Sequence, residues 1–164
     1  MIGVVGHWEN PDWIYKNDKI SGYAQKHILR MWSYALKSFN VKNFILIDLD
    51  NTDPYYGDAE INFQKFNSLE EVMKKYENYK FVILMQEHNI PKNFKKTKLK
   101  DFKHPKDNVF YVIGPNYTDL KTDNLKKCEY VYIPTTRKGL LWDVLVVPII
   151  LYDRFTKYGT DSIR

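Results

Sequence analysis

Cysteine is almost missing from this sequence, and that shortage narrows the class of protein. The 164 residues include a single cysteine, Cys128, so an intramolecular disulfide and a cysteine metal cluster are both excluded. Such sparing use of cysteine fits a reducing compartment. We therefore expect a cytoplasmic protein.

Membrane spans, metal-spaced histidines and linkers are also missing. No uninterrupted apolar stretch is long enough to cross a bilayer, so we expect no membrane association. The histidines His7, His27, His88 and His104 lack metal-ligand spacing, and we predict no metal site. Without an internal repeat or linker, 164 residues are too few for two typical domains. We predict one domain spanning residues 1–164.

The composition is that of a globular protein with a basic surface. Hydrophobic residues make up 44% and charged residues 27% of the chain, which argues against disorder. Aromatic residues reach 16%, and such residues pack cores but also stack on bases. The net charge of +5 favours a polyanionic partner.

Apolar runs alternate with segments of helical spacing along the chain. A helix is predicted over Ile20–Phe39, and a capping box at Ser68–Glu71 opens another, to about Tyr76. Between them, Asp50–Asn67 is interpreted as an acidic loop. The predicted strands are Ile2–Val5, Phe44–Asp48, Phe81–Met85, Asn108–Ile113 and Tyr130–Ile133. The pattern predicts an α/β fold with a mostly parallel five-stranded sheet and helices on both faces.

Two strand ends in the last third indicate a ligand site. The runs Tyr111–Ile113 and Tyr130–Ile133 each stop at a break, Gly114-Pro115 or Pro134. Ligands of α/β proteins bind beyond the carboxyl ends of parallel strands. We therefore expect these two loops to border the pocket.

The predicted C-terminal helix, from about Gly139 to Lys157, has almost no polar side. Its Leu140–Leu151 part is nearly continuous in apolar residues, and a helix of this kind must be buried all round. A small domain cannot cover it on every side, so we predict a homodimer through this helix. The alternative is one deeply buried helix in a monomer. Pro148 is expected to kink it.

A basic segment, Lys92–Lys106, precedes the fourth predicted strand. It holds Lys92, Lys95, Lys96, Lys98, Lys100, Lys103 and Lys106. With Phe94 and Phe102 interleaved, it could lie along a phosphate backbone and stack a base. The alternative is a solvated surface. For RNA contacts we single out Lys95, Lys96 and Lys98.

Taken together, these elements resemble the SPOUT superfamily of RNA methyltransferases, especially its tRNA ribose 2′-O-methylating branch. That branch typically carries Gly-Pro-Glu or Gly-Ser-Glu after its fourth strand, then Ile-Pro after the next. Here Gly114-Pro115-Asn116 and Ile133-Pro134 precede an apolar helix that ends at Tyr152-Asp153. The resemblance covers most of the chain in element order. It implies a C-terminal trefoil knot that binds S-adenosylmethionine (AdoMet), a homodimer, and methyl transfer to RNA.

The same resemblance implies the site residues. Around the adenosine of AdoMet we expect Met85, Gln86, Ile113, Gly114, Ile133, Thr135 and Leu141. The catalytic candidates are Arg30, for the arginine that helps to activate the ribose hydroxyl, and Asn116, where the family usually has glutamate. Lys26, four residues after Gly22, is a second candidate for that arginine.

Two other functions stay open at this point. The triplet Leu140-Leu141-Trp142 stands where the family has Ser-Leu-Asn, which favours a non-catalytic SPOUT-like module that binds RNA or protein. Separately, the Asp-x-Asp-x-Thr pattern from Asp48 to Thr52 resembles the first motif of Mg²⁺-dependent haloacid-dehalogenase-type phosphatases, which implies a nucleophilic Asp48 and an acid/base Asp50. The later motifs of such phosphatases do not follow, so we rank this reading last.

Overall fold

The structure is a computed structural model that describes residues 1–8, 20–48, 60–114, 128–136 and 143–159. Within these residues there are seven strands and three helices. The strands are β1 (Ile2–Trp8), β2 (Asn43–Asp48), β3 (Asn62–Phe66), β4 (Lys80–Leu84), β5 (Lys96–Lys98), β6 (Val109–Ile113) and β7 (Cys128–Tyr132). The helices are α1 (Ile20–Ser38), α2 (Leu69–Lys75) and α3 (Asp143–Tyr158), with a 3₁₀ turn at Leu99–Asp101. None of the described helices has the length and apolar character needed to cross a membrane.

The strands form one sheet in the order β3-β2-β1-β6-β4-β7-β5. Each neighbouring pair in this order is parallel. The predicted α/β fold with a parallel sheet is therefore confirmed.

The predicted number of strands was wrong, because the sheet has seven strands among the described residues and not five. The two additions, β3 and β5, are its edge strands. β3 lies at the end of the segment interpreted as an acidic loop, and β5 lies inside the basic segment. An edge strand is partly exposed and can carry polar residues and lysines. Neither strand therefore shows the apolar run by which the other five were recognised.

Helices cover the two faces of the sheet, and residues of one strand alternate between them. On β6, Tyr111 and Ile113 belong to the core cluster that contains α1 and α3 residues, such as Trp32 and Val147. Phe110 and Val112 belong to the cluster on the other face. Val72 of α2 packs in that second cluster. Both faces of β6 are fully buried, which explains why its sequence is continuously apolar.

α1 lies unusually close to β1, and Gly6 makes this possible. A Cβ atom added at Gly6 would lie 2.4 Å from Cζ3 of Trp32. Trp32 is fully buried and meets Phe44 edge to face, with ring centroids 5.7 Å apart. The missing side chain at Gly6 therefore sets how deeply α1 settles onto the sheet.

α2 begins where the capping box predicts. The Ser68 side chain accepts a hydrogen bond from the Glu71 backbone N–H at 3.2 Å. The Glu71 carboxylate in turn accepts one from the Asn67 backbone N–H at 3.1 Å. The helix ends at Lys75, one residue before the predicted end.

α3 differs from the predicted helix in its degree of burial. Val147 and Ile150 are fully buried, but 46% of Leu145 and 60% of Tyr152 are exposed. Its last turns also carry Asp153, Arg154 and Lys157. The helix lies on one face of the sheet beside α1, so its outer side is not covered by the sheet. Residues 137–142, which lead into it, lie outside the described residues.

A buried chain of hydrogen bonds joins α3 to β6 and to the segment before it. The Arg154 guanidinium donates to the Tyr111 hydroxyl at 3.1 Å. That hydroxyl lies 2.6 Å from Nδ1 of His104, and Nε2 of His104 lies 2.8 Å from the Asp153 carboxylate. The Lys157 ammonium donates to the same carboxylate oxygen at 2.7 Å.

The charges at the two ends fix the direction of every bond in this chain. A carboxylate only accepts hydrogen bonds, so Nε2 of His104 must carry the proton. Burial lowers the pKa of His104 from 6.5 to about 4, so the ring is neutral and its Nδ1 accepts. Burial also raises the pKa of Tyr111 to about 12, so the phenol keeps its proton and donates to Nδ1. Tyr111 and neutral His104 thus link the buried Arg154 guanidinium to the Asp153 carboxylate.

The lowered pKa of His104 predicts an acid-sensitive fold. In the unfolded chain its pKa is the ordinary 6.5, against about 4 when folded, so between these pH values the unfolded state binds more protons. The stability that depends on a neutral His104 is therefore complete above pH 6.5 and is lost as the pH falls toward 4. Denaturant unfolding should give a free energy roughly 1–2 kcal/mol lower at pH 5.5 than at pH 7.5.

The control for this measurement is a histidine on the surface. His104→Gln should be less stable at pH 7.5 and should lose most of the pH dependence. His88→Gln, at an exposed position, should keep both the stability and the pH dependence. Equal pH dependence in the wild type and His104→Gln would contradict the assignment.

Candidate functional site

The carboxyl ends of three neighbouring strands form the candidate site. β4 lies between β6 and β7, and Leu84 is in register with Ile113 on one side and Val131 on the other. The backbone N–H of Met85 donates to the Val131 carbonyl at 3.1 Å, which continues the pairing one residue beyond β4. The segments that follow these strands therefore leave the sheet side by side.

Four of the residues predicted to surround AdoMet lie at this edge. Met85 and Gln86 follow β4, Gly114 follows β6 and Ile133 follows β7. All four are half-buried. The site thus combines two apolar side chains, one amide and one glycine, where the backbone can be approached closely.

The other predicted site residues lie elsewhere or outside the described residues. Ile113 is buried in the core shared with α1 and α3, so its side chain packs under the site. Thr135 is exposed, two residues beyond Ile133. Arg30 is exposed on α1, and no described contact joins it to this edge. Asn116 and Leu141 lie outside the described residues.

The basic segment runs next to this edge, because β5 pairs with β7. Lys96 is in register with Tyr130, and Lys98 with Tyr132. The side chains of Lys95, Lys96 and Lys98 are exposed. β7 also leads to Ile133, so the segment borders the candidate site on one side.

An ion pair joins the segment to the loop after β4. Nζ of Lys96 lies 3.1 Å from Oε1 of Glu87, the residue after Gln86. The two side chains are 48% and 52% exposed, so water screens the pair and its net stabilisation is under about 1 kcal/mol. Another anion could therefore displace Glu87 at little cost.

The aromatic residues of the basic segment pack against the protein, and the burial of Phe102 excludes it from the predicted base stacking. Phe102 is only 3% exposed and packs in the core with α3. Phe94 is half-buried against Tyr130, with ring centroids 4.9 Å apart. Both rings anchor the segment to the protein, because burial of their apolar surface stabilises the folded state.

The motif that resembles a phosphatase is only partly described. Asp48 ends β2, in register with Trp8 of β1. β1 separates β2 from β6 in the sheet. Asp50 and Thr52 lie outside the described residues.

The buried chain of Arg154, Tyr111, His104 and Asp153 was missed in the sequence. Its hydrogen-bonded pairs are up to 49 positions apart, and no local motif links them. The spacing of Asp153 and Lys157, four residues apart on one helix, is the signal that could have indicated an ion pair there.

Comparison by sequence finds no matching family model and no matching curated protein. Comparison of folds gives clear matches. The chain is similar over 98% of its length to the TrmH/SpoU tRNA modifying enzyme of A. aeolicus, with a TM-score of 0.68, 10% identity and 78% of that chain covered. It is similar over 95% of both chains to a structure concerned with 2-OH methylation of C/U34 on tRNA, with a TM-score of 0.62 and 11% identity.

A third match is the SpoU methyltransferase AviRb from Streptomyces viridochromogenes in complex with the cofactor AdoMet. The TM-score is 0.60 and the identity 14%, with 96% of this chain and 60% of that chain covered. The protein described here therefore spans less than two thirds of that enzyme. At these identities the shared property is the fold. The chain has the fold of the SpoU/TrmH-type RNA methyltransferases, as its resemblance to the SPOUT superfamily predicted.

Proposed function

We propose that the protein is an AdoMet-dependent RNA methyltransferase with its cofactor site at the carboxyl edge of β6, β4 and β7. The observation that carries this proposal is the meeting of Met85, Gln86, Gly114 and Ile133 at one edge. The SpoU/TrmH fold supports it, since one matched structure holds AdoMet and two others concern tRNA modification.

The residues at this edge fit AdoMet. Half-buried Met85 and Ile133 suit the flat apolar faces of an adenine ring, and the Gln86 amide can donate to and accept from polar atoms. Gly114 lets backbone groups approach a ligand closely. When bound, AdoMet supplies a methyl group on a positively charged sulfur.

The chain must itself orient the accepting RNA oxygen and remove its proton. Arg30 is accessible on α1 and can hold an RNA phosphate through its guanidinium fork. Asn116 is a neutral amide, so it can orient a hydroxyl by hydrogen bonding but cannot act as a general base. The Arg30 guanidinium has no acceptor atom, so its proposed role is to hold the RNA phosphate beside the accepting hydroxyl, and the proton passes to an oxygen of that phosphate.

A second candidate function is a non-catalytic module with the same fold that binds RNA or a protein. The sequence observation in its favour is Leu140-Leu141-Trp142, where the family has polar side chains. Such a module could keep AdoMet binding, which depends largely on backbone groups. Transfer of labelled methyl groups from AdoMet to unmodified tRNA or ribosomal RNA distinguishes the two functions, since only the enzyme gives labelled RNA.

The remaining features of the proposal concern the chain as a whole. We propose that residues 1–164 are one domain whose C-terminal part forms a trefoil knot, in keeping with the fold resemblance. The segments that would form the knot, 115–127 and 137–142, lie outside the described residues. An RNA substrate and the single cysteine, Cys128, agree with a cytoplasmic location.

The outer sides of α1 and α3 support a homodimer. The two helices pack side by side, and each leaves large apolar side chains exposed: Met31 at 40%, Tyr34 at 55%, Leu145 at 46% and Tyr152 at 60%. On α3 the exposed positions are seven residues apart, which places them on one side of the helix. A second copy of the chain would cover this surface.

For RNA we propose the exposed lysines Lys95, Lys96 and Lys98 as phosphate contacts. They lie on the edge strand next to β7 or directly before it. A phosphate backbone that runs along β5 would therefore pass beside the proposed cofactor site.

AdoMet binding is the most direct test of the proposed site. Isothermal titration of the wild type with AdoMet and with S-adenosylhomocysteine should show binding. Ile133→Arg should weaken it at least about tenfold, roughly 1.4 kcal/mol, because the longer charged side chain occupies the edge. Asp48→Asn is the control, and it should bind AdoMet as the wild type does. A wild type that binds neither compound, or that releases phosphate in a manner dependent on Mg²⁺ and Asp48, would contradict the proposal.

Charge placed on the outer side of α3 should break the dimer. Sedimentation at micromolar concentration should show a dimer for the wild type and a monomer for Leu145→Glu, since an interface cannot bury an unpaired carboxylate without a large cost. Lys74→Glu, on α2 at the other face of the sheet, should remain dimeric. A monomeric wild type would count against this interface.

The salt dependence of RNA binding tests the lysines. Replacing Lys95, Lys96 and Lys98 together by Gln should reduce the slope of log affinity against log salt by about two to three, since each phosphate contact contributes about 0.7–0.9. Lys74→Gln, at an exposed position on α2, should leave the slope unchanged, and AdoMet affinity should be unaffected in both. RNA binding with an unchanged slope in the triple variant would reassign the segment to a solvated surface.

A further inference from the structure

The last turns of α3 have no part in the proposed reaction, yet they hold the basic segment in place. Lys157 Nζ donates to the Leu99 carbonyl at 2.9 Å and to the Phe102 carbonyl at 3.1 Å. Arg154 donates to the carbonyls of Pro105 and Lys106. The Tyr158 hydroxyl donates to the His104 carbonyl at 2.8 Å. Backbone carbonyls from Leu99 to Lys106 are thus bound by side chains of a single helix.

The Lys157 contacts lie next to the proposed RNA contacts. Leu99 follows Lys98 directly, and the 3₁₀ turn Leu99–Asp101 links β5 to Phe102. By binding the carbonyls at both ends of this turn, Lys157 fixes the position at which β5 ends. The direction in which Lys98 leaves the sheet therefore depends on a lysine that is 58 residues from Leu99 in sequence.

Other side chains hold these donors in turn. Asp153 accepts from Lys157 at 2.7 Å and from His104 at 2.8 Å, so Lys157 cannot swing into solvent without leaving the carboxylate. Arg154 is 1% exposed and donates to Tyr111. A buried cation is costly, and an apolar residue of similar volume could often fill the space with equal or greater stability. What the cation adds is geometry, because it fixes two carbonyls and a phenol at once.

We propose that Lys157, Asp153, Arg154 and Tyr158 form a positioning cluster that holds the basic segment against α3, so that Lys96 and Lys98 meet RNA beside the cofactor edge. This inference rests on the proposed function. Its members are positioning residues, since they act on RNA through the backbone of Leu99–Lys106. α3 is the helix that follows β7, and β7 leads to Ile133, so the RNA surface and the cofactor edge belong to one packed body.

Lys157→Met is the most informative variant. The side chain is 29% exposed, so its loss leaves the buried part of the core in place, and methionine retains the apolar stem. Lys74→Met removes the same charge from α2 and is the matched control. Tyr158→Phe removes one of the segment's bonds without changing charge. All are measured as full-length proteins with unmodified tRNA as the RNA and AdoMet as the cofactor.

We expect Lys157→Met to bind tRNA about fivefold more weakly than Lys74→Met. This factor corresponds to a basic segment that is held against α3 in about one fifth of the molecules. The salt slope should stay at the wild-type value, because Lys157 itself touches no phosphate. The KM for tRNA should rise while kcat and AdoMet affinity remain unchanged. Tyr158→Phe should shift tRNA affinity in the same direction by a smaller factor.

Equal tRNA affinity of Lys157→Met and Lys74→Met would overturn the inference. So would a slope reduced by about one in Lys157→Met, since that is the signature of a direct phosphate contact. Both results leave the proposed function intact. A wild type that binds neither tRNA nor ribosomal RNA would instead remove the proposed function and this inference together.

Discussion

Parallel pairing between neighbouring strands determines where the other parts of this protein lie. Because each described pair is parallel, all strands end at the same edge of the sheet, and the chain must cross back between them. Residues near positions 85, 114 and 133 become neighbours for this reason alone. The same pairing places the basic edge strand β5 beside β7. Strand order, more than any local motif, therefore determines where the candidate site and the basic segment lie.

Much of this arrangement could be predicted from local chemistry. A strand buried on both faces must be apolar throughout, and β6 shows this in five consecutive buried residues. The breaks at Gly114 and Pro134 follow β6 and β7, and in a parallel sheet a strand end is where a ligand binds. β3 and β5 were missed for the opposite physical reason. They pair on one side only, so lysines and half-buried residues satisfy them as well as apolar ones.

The parts of the site that could not be predicted depend on contacts between distant residues. His104 meets Asp153 across 49 positions and Arg154 meets Tyr111 across 43, and no local pattern announces such pairs. The basic segment poses the same difficulty. Seven of its fifteen residues are lysines, so the sequence gives no local sign that Phe102 and His104 are buried. The family resemblance predicts site roles for Asn116 and Leu141, but both lie outside the described residues.

The strand order also governs how this chain can fold as it leaves the ribosome. β1, β2 and β3 are neighbours in both sequence and sheet, so they can pair early. β4 cannot, because both of its neighbours, β6 and β7, are synthesised later. Ile2 likewise waits for Val109. Such long-range pairing is slow, and the apolar residues Phe81–Leu84 stay unpaired during synthesis. The nascent chain is therefore expected to be a client for chaperones until β7 emerges.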